Sequence, residues 1–97
     1  MIEVRGEASR LNEVIGFLER DVIPAARHMD GFCGGQWLLD RGDGSIVGVA
    51  LWQTLEDLEA SAEAMRRFRE RGAELLGGEV LSTRVFEVIA EAKSTIA

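Results

Sequence analysis

Residues 31–62 constrain this chain more than any other stretch. They read GFCGGQWLLDRGDGSIVGVALWQTLEDLEASA. Two apolar runs flank Asp40-Arg41-Gly42-Asp43-Gly44, a segment whose aspartates accept backbone hydrogen bonds and whose glycines reach positive φ. That is hairpin chemistry, with strands expected over 36–40 and 45–53. The second run is almost continuously hydrophobic, as in a strand covered on both faces. Thr54 followed by Asp57 is a variant of the capping box. Leu58, Ala62, Met65, Phe68 and Leu75 then recur at helical spacing. Gly72 weakens that helix by about 1 kcal/mol relative to Ala, and Gly77-Gly78 stops it.

The flanks extend the pattern. Ile2 and Val4 alternate with Glu3 and Arg5, a short half-buried strand. Ser9 is positioned to cap a helix whose apolar stripe is Leu11, Val14, Ile15, Leu18 and Val22. Pro24 lacks a backbone donor and should kink or end that helix, with room for a last turn through Ala25, Ala26 and Arg27 beyond the kink. Val85, Phe86, Val88 and Ile89 suggest a last strand over 83–90, followed by a small, polar tail over 91–97. The order is β-α-β-β-α-β, the ferredoxin-like arrangement: a four-stranded antiparallel sheet with two helices on one face. Strand three divides into one face with Val47, Val49 and Leu51 and another with Ile46, Gly48, Ala50 and Trp52. The expectation is that Ile46, Ala50 and Trp52 point away from the helices. A contiguous apolar sheet face marks an interface, so a homodimer joined through the sheet is expected.

The 97 residues fit a single domain spanning 1–97. A net charge of −6 argues against nucleic acid and anionic lipid as partners. Arg66, Arg67, Arg69 and Arg71 interleave with Glu63, Glu70 and Glu74. Their i,i+4 pairs read as a solvated helix face. With Cys33 as the lone cysteine no intrachain disulfide forms, and a reducing, cytoplasmic setting fits. No stretch reaches the ~18 apolar residues that span a bilayer, and MIEVRGEASR has no hydrophobic signal core. The reading is a soluble intracellular protein.

Several of these features together resemble the dimeric α/β-barrel superfamily and, within it, the antibiotic-biosynthesis-monooxygenase-like domains. They are Ile23-Pro24 ahead of Gly31-Phe32, the Gly34-Gly35 strand start, Ala50-Leu51-Trp52-Gln53-Thr54 leading into helix two, and the closing Val85-Phe86-Glu87-Val88. The resemblance implies a sheet-to-sheet dimer with a pocket between helices and sheet. It also implies cofactor-independent oxidation of an electron-rich aromatic or polyketide-like substrate, with Trp52 at the family's strand-three tryptophan position. The family's haem-degrading branch uses an asparagine on strand one and a histidine on helix two. Here strand one reads Ile2-Glu3-Val4-Arg5 and helix two holds no histidine, so no cofactor is implied.

Three side chains are candidates for a site. His28, the sole histidine, titrates near neutral pH and is the candidate catalytic base. Its alternative is a helix-end residue that meets the last carbonyls. Trp52 and Trp37 are candidate substrate-binding walls, or simply core and interface anchors. Cys33 has no activating partner in the sequence and reads as an inert thiol. Asn12 falls on the polar side of helix one. One His and one Cys build no metal site. Gly31 to Gly35 lacks the lysine of a phosphate loop. Arg41-Gly42-Asp43 is turn chemistry rather than an adhesion ligand. The functional expectation is a small-molecule-binding domain, catalytic through His28 as a monooxygenase or, alternatively, a non-catalytic ligand-binding or dimerisation module. The absence of any tyrosine favours the second.

Overall fold

The structure is a computed structural model and describes residues 1–94. Its elements run β1 (Ile2–Arg5), α1 (Leu11–Phe17), α2 (Ile23–Arg27), β2 (Phe32–Asp40), β3 (Ser45–Trp52), α3 (Leu55–Leu76) and β4 (Glu79–Thr83). The four strands make one antiparallel sheet in the order β2-β3-β1-β4. This order is compatible with a ferredoxin-like fold. The core lies between the sheet and both helical layers: Val4 and Ile46 from the strands pack with Leu11, Val14, Ala73 and Leu76 from the helices.

The hairpin forms for the reasons its sequence suggests. Asp40 Oδ1 accepts from the Gly42 N–H at 2.8 Å, and Asp43 Oδ1 accepts from the Ser45 N–H at 2.9 Å. Gly44 closes the turn at φ +74°. The strand before it is longer than expected and begins at Phe32. A register shift between Phe32 and Gly34 lets Phe32 pair with Trp52 and Gly34 with Leu51. Such a bulge keeps a glycine-rich segment in the ladder. Thr54 caps α3 as expected, its Oγ1 accepting from the Asp57 N–H at 3.0 Å. Gly77, at φ +71°, ends it.

Helix one departs from expectation at both ends. A 3-10 turn over Ala8–Arg10 precedes it, the N-cap position is Arg10, and Ser9 makes no capping bond. Pro24 does not end the helical run, and the turn expected beyond it through Arg27 is present. A π-helical turn over Leu18–Val22 comes first, and Pro24 then sits in the first turn of α2. The wider turn shifts the carbonyl that proline would strike and removes the need for its missing N–H.

Two further expectations are corrected. The last strand is Glu79–Thr83 rather than 83–90, and residues 84–94 have no regular structure. β4 pairs with the short β1, and that pairing ends where Met1 and Arg84 exchange backbone bonds at 2.7 Å. The apolar residues 85–89 have strand propensity but no strand beside them. The two faces of β3 are also exchanged relative to expectation. Ile46 is buried against the helices, and Gly48, Ala50 and Trp52 share its side. Val47, Val49 and Leu51 lie on the open side, opposite Leu38 and Gln36. Alternation separates the faces but does not say which one the helices cover. The polar tail expected over 91–97 has no regular structure through Ser94, and residues 95–97 lie outside the described residues.

Candidate functional site

Small residues line a space between sheet and helices on both sides. The covered sheet face carries Gly48 and Ala50, and α3 carries Ala62 and Gly72. The large side chains Phe17, Trp37, Trp52, Met65 and Phe68 stand around them. The result is a cavity of about 240 Å³ with mostly apolar walls. The space opens to solvent on one side, where Ala62 on its wall is exposed, and an apolar recess of this kind is a candidate site. Aromatic contacts brace the walls. Phe17 and Phe68 lie 6.1 Å apart between ring centroids, and Phe32 meets Trp52 edge-on at 5.4 Å.

The two tryptophans singled out from the sequence both line this cavity. Trp37 reaches it from β2, lying over its cross-strand partner Gly48. Trp52 reaches it from the end of β3. His28 does not join them. It is the exposed C-cap residue of α2, its backbone N–H donating to Ala25 O at 3.2 Å. Among the described residues the cavity wall contains no carboxylate, imidazole or thiol. Cys33 is exposed elsewhere, its Sγ donating to Gly31 O at 3.3 Å. No group of three or more His, Cys, Asp or Glu among the described residues is arranged to hold a metal ion, and no helix is long and apolar enough to cross a membrane.

The polar wall groups are Ser61, Thr83, Arg69, Arg84 and the Met1 amine. Ser61 is buried, and its hydroxyl donates to Leu58 O at 2.7 Å. Arg84 lays its guanidinium over the Phe86 ring, 4.7 Å from the centroid. Arg69 differs from its neighbours. Arg66 binds Glu63 at 2.6 Å and Glu70 at 2.7 Å, Arg67 approaches Glu63, and Arg71 binds Glu74. Arg69 has no hydrogen bond or ion pair among the described residues. Burial lowers its pKa, the nearby Arg66 lowers it further, and Glu70 opposes this.

Chains similar to this one occur in Mycobacterium tuberculosis. Its uncharacterised protein Rv2558 is 39% identical over 83 residues, covering 84% of this chain and 34% of the relative. The uncharacterised protein Rv2557 is 32% identical over 75 residues, covering 77% of this chain and 34% of the relative. This chain therefore spans about a third of the length of the curated relatives it matches. No family model and no solved structure matches it.

Sequence reasoning missed Arg69 because it was grouped with the other arginines of the cluster. A signal was present. Leu58, Ala62, Met65, Arg69, Gly72 and Leu76 follow one another at alternating steps of four and three, and all of them line the cavity. Arg69 stands in the sheet-facing stripe, whereas Arg66 and Arg67 stand outside it.

Proposed function

We propose that this domain binds a small apolar or aromatic molecule in the cavity between its sheet and its helices. One observation carries the reading: an apolar space of about 240 Å³ lined by Trp37 and Trp52 and by small residues of both sheet and helix. An apolar cavity of about 150 Å³ already accepts benzene, so this one suits a one- or two-ring molecule. Walls of this kind, with few polar groups, are the usual character of ligand sites. The reading is tested by titrating naphthalene-type probes and following tryptophan fluorescence. Binding is expected in the wild type and is expected to be lost in Ala62→Phe, which fills the cavity from a solvent-exposed position. Equal binding in that variant would place the ligand elsewhere.

The domain acts as a homodimer joined through its open sheet face, in the ferredoxin-like manner of the dimeric α/β barrels it resembles. Leu38 and Leu51 on that side are 53% and 36% exposed, and Val85, Phe86, Val88 and Ile89 add apolar surface beyond β4. Covering such a face is favourable in proportion to the apolar area removed from water. A wild-type dimer in sedimentation experiments, converted to monomer by Leu38→Lys, is the expected result. A wild-type monomer at micromolar concentration would remove this part of the proposal.

A second reading is favoured by Trp52 on the wall: cofactor-independent oxidation of an aromatic substrate, with His28 as base. It predicts oxygen uptake with quinol-type substrates that His28→Ala abolishes. Among the described residues the cavity wall holds no carboxylate, imidazole or thiol, which supports the non-catalytic reading instead.

A further inference from the structure

We infer that the molecule held in this cavity carries a carboxylate at one end, and that Arg69 receives it. The inference rests on the ligand-binding reading and specifies its chemistry. Arg69 occupies a position in the sheet-facing stripe of α3 where the pattern of Leu58, Ala62, Met65 and Leu76 calls for an apolar side chain. A guanidinium there is partly withdrawn from water, and leaving a charge in such a place without a partner is unfavourable. The carboxylates closest along its own helix are engaged: Glu63 and Glu70 by Arg66, and Glu74 by Arg71. The other charged groups near it offer little relief. Arg66 repels it, Glu70 is held by Arg66, and the neighbouring Met1 amine, its pKa lowered first by burial and then by Arg69, is a further positive group.

The chemistry of the missing partner follows from these surroundings. A planar guanidinium matches a carboxylate through two parallel hydrogen bonds. One such fork balances one negative charge. The remaining wall is apolar and aromatic, so the body of the ligand must be so as well. An aryl or short alkyl carboxylate meets both conditions: its ring lies between the tryptophan-lined sheet and the helices, and its acid group reaches Arg69. Arg69 would then orient the ligand, since a molecule reversed in the cavity would turn its charge away from the guanidinium and towards apolar wall.

The test compares 2-naphthoate with 2-naphthylmethanol, nearly equal in shape and different in charge, by calorimetric titration at neutral pH. The acid is expected to bind about tenfold more tightly, the scale of one charge-assisted bond. That preference is expected to vanish in Arg69→Gln, to persist in part in Arg69→Lys, and to persist fully in Arg66→Gln. Added salt is expected to narrow it. Equal affinities in the wild type, or a preference that survives Arg69→Gln, would overturn the assignment while leaving the cavity reading intact. Failure of both probes to bind at millimolar concentration would overturn the two together. Circular dichroism of Arg69→Gln guards against loss of the fold, and Arg69→Met, which also removes the charge, supplies the same comparison if the glutamine variant unfolds.

Discussion

The indole of Trp37 lies directly over Gly48, its cross-strand partner on β3. A Cβ added at Gly48 would stand 3.0 Å from both Cδ1 and Nε1 of the ring and 3.1 Å from Ile2 Cγ2. A glycine at the centre of the sheet thus sets where one wall of the cavity stands. Gly48→Ala is expected to push the indole towards the helices, reduce probe binding and destabilise the domain by about 1–3 kcal/mol, the usual cost of overpacking. Urea denaturation together with tryptophan fluorescence measures both effects. An unshifted emission maximum with unchanged stability would contradict this account.

Gly72 should behave in the opposite way. It lies inside α3 with helical backbone, and an added Cβ would meet only Phe17 Cε2, at 3.9 Å, an ordinary contact. Gly72→Ala removes a helix-weakening residue and is expected to stabilise the domain by about 0.5–1 kcal/mol. A rise in melting temperature is the readout.

At the exit of α3 two adjacent glycines have different reasons. Gly77 holds φ +71°, and a side chain there would meet the side chains of Arg10 and Glu7 at 3.2–3.3 Å. Gly77→Ala is expected to cost about 1–2 kcal/mol from the left-handed backbone alone. At Gly78 a Cβ would collide with the backbone of Arg5 and Gly6, which cannot move without breaking the β1–β4 pairing. Gly78→Ala should therefore be the more damaging change, measured side by side in denaturant.

Thr54 is a conventional cap with a measurable role. Removing its hydroxyl in Thr54→Ala leaves the Asp57 N–H without its 3.0 Å acceptor and is expected to cost about 0.5–2 kcal/mol. Thr54→Ser should retain most of the wild-type stability.

Acid should weaken the hairpin through Asp43. Hydrogen bonds from Ser45, first its hydroxyl and then its backbone N–H, hold the Asp43 carboxyl below the usual aspartate range, and Arg5 adds to this. A carboxyl with a depressed folded-state pKa stabilises the fold above its unfolded pKa, and loses that contribution as pH falls through the folded value. The wild type should therefore exceed Asp43→Asn in stability at pH 7, with the gap closing below the ordinary aspartate range. Urea midpoints at several acidic pH values give the curve. A gap that stays constant with pH would assign the effect to something other than the charge.

Much of the fold is legible in particular residues. The Asp40–Gly44 turn, the Thr54 cap and the Gly77 stop are local devices, each acting through hydrogen bonds or φ angles within a few residues, and the structure contains all three where the sequence puts them. Pro24 shows the limit of such reasoning. Its local rule leaves a kink and an end both open, and the helical run continues to Arg27 through a π-helical turn that the rule does not foresee. The last strand shows another limit: Val85 to Ile89 have the better strand composition, yet β1 offers Glu79 to Thr83 a partner and offers the later residues none.

Within the site, Trp37 and Trp52 were legible as large apolar anchors, for a wall or for the core alike, and it is the fold that sets both on the cavity. The setting of Arg69 was not read, because charge clustering along the chain hid its helical phase. The sequence alone determined element order, turn chemistry and the two faces of β3, since these depend on neighbours a few positions apart. Only the tertiary structure decided which face the helices cover, where β4 pairs, and that an arginine without a partner among the described residues borders an apolar cavity. Those outcomes depend on packing between segments distant along the chain, a free energy that no local pattern contains.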